Sequence, residues 1–413
     1  MTSGRTHEPD FARLLGDLAM ESPPSYRDDI VQRTARTRQR PAWMFPERWF
    51  PVDITTQRVS FAPRRWRATA VLLLLVAALV IATLVAVTLG NRPRLPAPYG
   101  PAENGLVAYA SGGDIYLGDP VTGMSRVLLD GPETDIGAVF SRDGTRLAVI
   151  RESEGSPGVN LHVVNADGSG LRVLTPEPLL ALNIEDWSGD GRQILITSGR
   201  KMSLVDVERG EVRPLEIGIG VEDPVFRPPD GRQIGFVGFK PGAHGIYLVN
   251  SDGTGLHRAA AGGAEVPGYF SPPEFSPDGS LIATSLPDPG PAGSQVHVIE
   301  FEGSGDRVLS NPPDVLDQWG PIWSPDGGTL VVLRSDADGW LLAEIPVDGG
   351  RGFDIAHLSD VFGVLSLSPD GRQVVFGPDD ITKPAVIVGT SDSAMHTAPR
   401  WYAGDWQRRP DQE

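Results

Sequence analysis

The chain contains no cysteine. That absence excludes disulfides, zinc–thiolate centres and thiol nucleophiles together, so outside a cell its core must be large enough to hold without covalent staples. Lysine is scarce as well, occurring only at Lys201, Lys240 and Lys383, and no G-x-x-x-x-G-K-[ST] run is present, which removes phosphate cradling of the P-loop kind. Neither a G-x-S-x-G nucleophile elbow nor an H-E-x-x-H pair occurs, so the commonest hydrolase and metalloprotease signatures are missing. The histidines (His7, His162, His244, His257, His297, His357 and His396) are scattered, with no pair at metal-ligand spacing. His162, His257 and His297 fall in or beside expected strands and read as structural. The sequence therefore assigns no catalytic residue, no metal ligand and no cofactor site, and the expectation is a protein that is not an enzyme.

What the chain has in plenty is turn residues. Gly 49 and Pro 38 in 413 residues, with 40% apolar content, favour many short strands joined by tight turns over long helices. Net charge is −17 but unevenly spread. Residues 1–67 hold 12 arginines against eight acidic residues, whereas everything after residue 90 holds 24 basic and 45 acidic residues. Opposite signs on two sides of a boundary point to two environments, and an acidic body argues against nucleic acid as a direct partner.

The boundary is "ATAVLLLLVAALVIATLVAVTLG", residues 68–90, which carries no charged side chain. As a helix rising about 1.5 Å per residue, its 22 residues from Ala68 to Leu89 would cover roughly 33 Å, the thickness of a hydrocarbon core. A buried core helix rarely runs so long without a polar residue, and a cleaved leader would not follow 67 residues; both stand as alternatives to a transmembrane helix. Arg58, Arg64, Arg65 and Arg67 flank the run on its N-terminal side against Arg92 and Arg94 beyond it. The positive-inside rule then places residues 1–67 in the cytoplasm and the acidic body outside. Residues 91–103 read as a Pro/Gly-rich linker.

Beyond the linker one phrase recurs: "FSRDG", "WSGDG", "PPDG", "FSPDG", "WSPDG", "LSPDG". Its glycines (Gly144, Gly191, Gly231, Gly279, Gly327 and Gly371) are spaced by 47, 40, 48, 48 and 44 residues. A period in the forties built from short strands is the mark of a propeller blade. Proline pre-sets the turn backbone, aspartate bonds to nearby amides, and glycine takes the positive φ that ends the turn. The aromatic before it (Phe140, Trp187, Phe226, Phe275, Trp323) should end an inner strand and pack between blades. The strings after it ("RLAVI", "QILIT", "QIGFV") are second strands, and "NADGSG" and "NSDGTG" are hairpin turns. Calcium is the alternative for those turns and for "SDADG" (335–339), but none continues to the glutamate of an EF-hand loop.

A seventh second strand, "GLVAYAS" (105–111), has no Asp-Gly turn before it, so its blade lacks an innermost strand. "RWYAGDWQ" (400–407) supplies a candidate, and pairing the two would close the ring without free edges. The expected domain is a seven-bladed all-β propeller over 104–407, with six blades as runner-up, followed by a tail of 408–413. The W/F-S-P-D-G turn followed by "IYLVN-DG-G" resembles the TolB-type subgroup of WD-like β-propellers. Placed outside the membrane by the arginine bias, such a propeller is expected to bind a protein, peptide or glycan. An enzyme would have to assemble carboxylates at the channel, where Asp135, Glu185, Asp223 and Asp317 precede inner strands.

Two short helices are expected near the N-terminus, over "DFARLLGDLAMES" and "SYRDDIVQRTARTRQR". After them, "RPAWMFPERWFP" crowds Trp43, Phe45, Trp49 and Phe50 into eight residues, next to Arg36, Arg38 and Arg40. These seven residues form either an amphipathic layer on the inner membrane face or a docking segment that folds on a cytoplasmic partner. The wording "TARTRQRPAW–PERW" is similar to the N-termini of predicted bacterial membrane proteins that carry a span and a TolB-like propeller. The resemblance implies an anti-sigma-like regulator acting with a sigma factor, of a metal-free kind because cysteine is absent. The sequence reading is thus a single-pass protein of the bacterial cell membrane with its propeller outside. An anchored scaffold without signalling and an extracellular hydrolase or lyase are the alternatives.

Overall fold

The computed structural model describes residues 73–77, 95 and 98–409, apart from short loop segments of which 262–270 is the longest. Two compact units divide the chain, Met1–Asn91 and Arg92–Glu413. Of the first, only residues 73–77 are described; they are helical, with Leu73, Leu74, Leu75 and Val76 exposed. Among the described residues no helix is long and apolar enough to cross a membrane. The rest of the apolar run, and the N-terminal helices expected from the sequence, lie outside the described residues.

The second unit is built of seven four-stranded antiparallel sheets, with 28 strands among the described residues. Blade 1 joins the two ends of the domain, with Tyr402–Arg409 innermost, followed by Glu103–Ser111, Asp114–Gly118 and Ser125–Leu129. Blades 2 to 7 each run in chain order, their inner strands being Asp135–Phe140, Asn183–Trp187, Gly220–Phe226, Glu274–Phe275, Asp317–Trp323 and Leu365–Leu367. The closing pair sets Val107 opposite Trp406 and Ala108 opposite Asp405. Seven blades, not six, make the ring, because Met395–Ala398 pairs as a full fourth strand of blade 7 despite its weak composition.

No single centre holds this fold. Among the described residues the buried apolar side chains fall into seven clusters, each between two neighbouring blades. Ile194 and Ile196 of blade 3 pack on Ala148, Leu161 and Val163 of blade 2, while Leu195 between them packs on Val221, Phe226 and Phe236 of blade 4. Successive strand side chains point to opposite faces, and here both faces are covered. The second strands are therefore near-continuous apolar runs instead of the alternating pattern of a half-exposed sheet. Val107, Tyr109 and Trp406 of blade 1 pack on Val375, Ala385 and Ile387 of blade 7, which closes the ring.

The motif aromatics sit at the inner ends of these interfaces. Trp187 and Phe226 are each 1% exposed, and three indoles reach back to the preceding blade. Trp187 Nε1 donates to the Val139 carbonyl at 3.2 Å, Trp323 Nε1 to Glu274 at 2.9 Å, and Trp406 Nε1 to Ser366 at 3.3 Å. Trp406 thus combines strand closure, core packing and an inter-blade hydrogen bond. Replacing it by alanine is expected to cost about 3–5 kcal/mol, the range for truncating a buried large aromatic. Urea unfolding of the detergent-solubilised full chain measures this; a loss below 1 kcal/mol would mean that the ring does not depend on its closing strand.

Candidate functional site

The Asp-Gly turns assemble into a collar around one end of the central channel. In five of them the serine hydroxyl donates to the aspartate two residues on, at 2.6–2.8 Å (Ser141–Asp143, Ser188–Asp190, Ser276–Asp278, Ser324–Asp326, Ser368–Asp370). Each serine oxygen also accepts the amide five residues on, as from Arg146, Gln193 and Gln373. The motif glycines take φ of 65–74°, where a side chain is strained. Two of them are also pressed against the neighbouring turn, since a Cβ at Gly144 or Gly279 would lie 2.0 Å from the carbonyl oxygen of Arg408 or Pro228. Turn chemistry and blade-to-blade stacking thus demand glycine together.

Just inside the collar, each blade presents to the channel the residue before its inner-strand aromatic, or before Leu367 in blade 7. Around the ring these are Asp405, Val139, Asp186, Val225, Glu274, Ile322 and Ser366, all lining a cavity of about 360 Å³. Two of the three carboxylates act as latches. Asp186 accepts the Phe226 amide of the next blade at 2.9 Å, and Asp405 accepts the Phe140 amide at 2.6 Å. Asp186 is further held by Arg142, whose Nε and Nη2 both donate to its Oδ1 at 3.1 and 2.6 Å. The guanidinium side chain keeps 40% of its surface accessible, and that surface faces the channel.

Glu274 occupies the same position in blade 5 without a latch. Within the described residues its carboxylate has no hydrogen-bond partner, and burial pushes it up to about 7. Arg142 draws it down, while Asp186 and Asp223 push the other way. Burial likewise lifts Asp405 to about 6 and Glu185 to about 7, the latter opposed by a hydrogen bond from the Thr197 hydroxyl. Arg142 is held charged chiefly by Asp186. The channel is therefore a carboxylate-lined space with two arginines, Arg142 and Arg408, among its lining residues, and part of its acid groups hold protons near neutrality.

The four carboxylates named from sequence have different fates. Glu185 lines the cavity. Asp223 lies in a bulge of blade 4 with φ of 49°, close enough to raise the pKa of Glu185 and Glu274. Asp135 is buried in a two-bond pair with Arg151 at 2.7 and 2.9 Å. Asp317 accepts the Ser294 amide at 2.6 Å. These last two begin their inner strands, about a strand's length from the collar. His162, His257 and His297 stand in strands as expected. In the hairpin turns, Asp167 and Asp252 bond to their own loops through Ser169 and Thr254, and among the described residues no three acidic or histidine groups converge to hold a metal ion. Arg36, Arg38, Arg40, Trp43, Phe45, Trp49 and Phe50 lie outside the described residues. Reading of the sequence passed over Arg142, Asp186, Glu274 and Asp405; the signal was an acid directly before the repeat aromatic in "EDWS", "PEFS" and "GDWQ".

No protein-family model matches the chain, and neither does any curated protein. Solved structures do. An oligogalacturonate lyase solved in complex with manganese superposes with a TM-score of 0.55 at 15% identity over 73% of this chain and 86% of that one. The oligogalacturonate lyase of Vibrio parahaemolyticus gives 0.54 at 13% identity over the same shares. TolB from Acinetobacter baumannii gives 0.49 at 15% identity over 73% and 81%. At these identities the likeness of the two lyases shows the fold alone: the domain is a seven-bladed β-propeller.

The elevated Glu274 has a measurable consequence. Its folded pKa of about 7 exceeds the ordinary 4.5, so its contribution to stability is full below about 4.5 and is lost as pH rises through about 7. Glu274→Gln is expected to flatten the fall in stability across that window by roughly 1–2 kcal/mol, with the other raised carboxylates, Glu185 and Asp405 among them, supplying the slope that remains. Urea denaturation of wild type and variant at stepped pH reads the difference. Parallel profiles would mean that Glu274 ionises as it does in water.

Proposed function

We propose that the chain is a single-pass binding protein of the bacterial cell membrane, whose propeller takes an extracytoplasmic protein, peptide or glycan at its channel mouth. The observation that carries this is the mouth itself: a cavity lined by one residue from every blade, with an unlatched carboxylate and a guanidinium facing the same space. Four lining carboxylates (Glu185, Asp186, Glu274 and Asp405) against Arg142 and Arg408 favour a neutral or cationic group over an anionic one. Oligogalacturonate, the polymer in the names of the two lyases, would meet Asp186, Glu274 and Asp405 and be repelled. The apolar run at 68–90 supports the anchor, and the arginine bias supports a cytoplasmic N-terminus.

In this reading the Arg36–Phe50 stretch docks on a cytoplasmic partner, a sigma factor, as the anti-sigma-like resemblance implies. Aromatic anchors flanked by arginine suit a small number of strong contacts. The full chain in detergent micelles should bind cationic peptides at least about tenfold more tightly than anionic ones at low salt. The Glu274→Gln, Asp405→Asn pair should lose that preference. Equal binding of both peptide classes by the wild type sinks the channel reading. Separately, co-expression of the full chain with the cell's sigma factors should give a complex that the Trp43→Ala, Trp49→Ala pair abolishes. If no sigma factor co-purifies, the anchored scaffold replaces the regulator.

A further inference from the structure

The residues just ahead of blade 1 do not run clear of the propeller. Pro98, Tyr99 and Gly100 line the same cavity as the channel acids, and Tyr99 is only 8% exposed. Gly100 takes φ of +88°, with Leu95 packed against it, which turns the chain so that Tyr99 enters the mouth. The Ala102 amide donates to the Pro369 carbonyl of the blade 7 turn at 3.0 Å, and Arg408 Nη2 donates to Pro101 at 3.4 Å. The Arg142 guanidinium stands 6.0 Å from the Tyr99 ring centre, within cation–π range. Burial pushes the phenol up to about 12, against the pull of Arg142.

One detail of the collar fits this segment. The position after the motif serine is proline in three turns (Pro277, Pro325, Pro369), but in "WSGDG" it is Gly189. Gly189 does not adopt a left-handed φ, so the backbone gives no reason for a glycine there. Space does: a Cβ at Gly189 would lie 2.7 Å from the Tyr99 hydroxyl and 3.0 Å from the Pro229 carbonyl oxygen of the next turn. Side-chain volume is missing from the collar at the place where the phenol rests.

We propose that Pro98–Gly100 is a tethered stopper in the channel mouth, which an incoming ligand displaces, so that filling the channel frees the linker that leads to the N-terminal unit. This rests on the channel-binding reading and supplies its regulation. A stopper two residues from the first strand acts at high effective concentration, so it excludes a weak ligand with modest intrinsic contacts. Displacement couples the propeller to the chain before it without any change in the blades. The seat favours a rival that presents an aromatic phenol and no negative charge.

The test uses the full chain in detergent micelles and a synthetic peptide of its own residues 95–102, "LPAPYGPA". Two readouts are taken. Hydrogen exchange at Ala102 should be at least about tenfold slower in wild type than in Tyr99→Ala, with Gly189→Ala falling between them. The peptide should bind Tyr99→Ala at least about tenfold more tightly than wild type, and the same peptide with alanine for tyrosine should bind neither. Fast exchange at Ala102 in the wild type, or equal peptide binding by wild type and Tyr99→Ala, overturns the stopper even if cationic peptides still bind the channel. Conversely, if Ala102 is protected and Tyr99→Ala releases it while cationic and anionic peptides bind alike, the stopper stands and the channel-ligand reading falls. Thermal unfolding of both variants confirms that the blades persist, since neither residue belongs to an inter-blade core cluster.

Discussion

A circle of sheets holds only if its last member meets its first, and here that meeting is a strand exchange: Tyr402–Arg409 pairs with Glu103–Ser111 inside one blade. Among the described residues every apolar cluster lies between two blades, and none belongs to a single blade. The energetic unit is the interface, and there are seven of them only when the ring is shut. An unpaired Glu103–Ser111 would leave backbone donors and acceptors open at an edge and one face of blade 7 bare. Closure therefore turns a row of marginal sheets into one cooperative body, and the hydrogen bonds that cross from blade to blade follow from it.

Those crossing bonds also build the channel. Asp186 and Asp405 sit inside the collar because their carboxylates bridge to the amides of Phe226 and Phe140 in the next blade. Val139, Val225 and Ile322 fill the same position without bridging, which shows that the latch is optional for the fold. At Glu274 the carboxylate lines the cavity and makes no such latch among the described residues. Its burial raises the cost of its charge, and that cost is relieved by a proton or by a cation brought from outside. The position before each motif aromatic is thus where the architecture leaves room for chemistry.

The collar joins this chemistry to the rest of the chain. Five of its six Asp-Gly turns are satisfied by their own serine and aspartate, so they tolerate different residues at the second turn position. Pro277, Pro325 and Pro369 stiffen the rim, Arg142 carries the charge, and Gly189 yields its volume to Tyr99. Such a division lets a segment from outside the blades lie in the mouth while the stacking of turn on turn continues beneath it.

Blade number, turn chemistry and the partnership of the two chain ends could be read from the residues alone, because each is local or periodic. A turn's hydrogen bonds lie within five residues, and a repeat in the forties announces itself by counting. The packing of the motif aromatics between blades was likewise visible, from their fixed place before each turn. The membership of the channel was not. Asp186, Glu274 and Asp405 are brought together by the curvature of the whole ring, across separations of 88 and 131 residues. Which end of an inner strand faces the collar decided that Glu185 lines the cavity while Asp135 and Asp317 do not. The raised pKa values and the seating of Tyr99 arise from burial and distance, and neither quantity exists until the ring has closed.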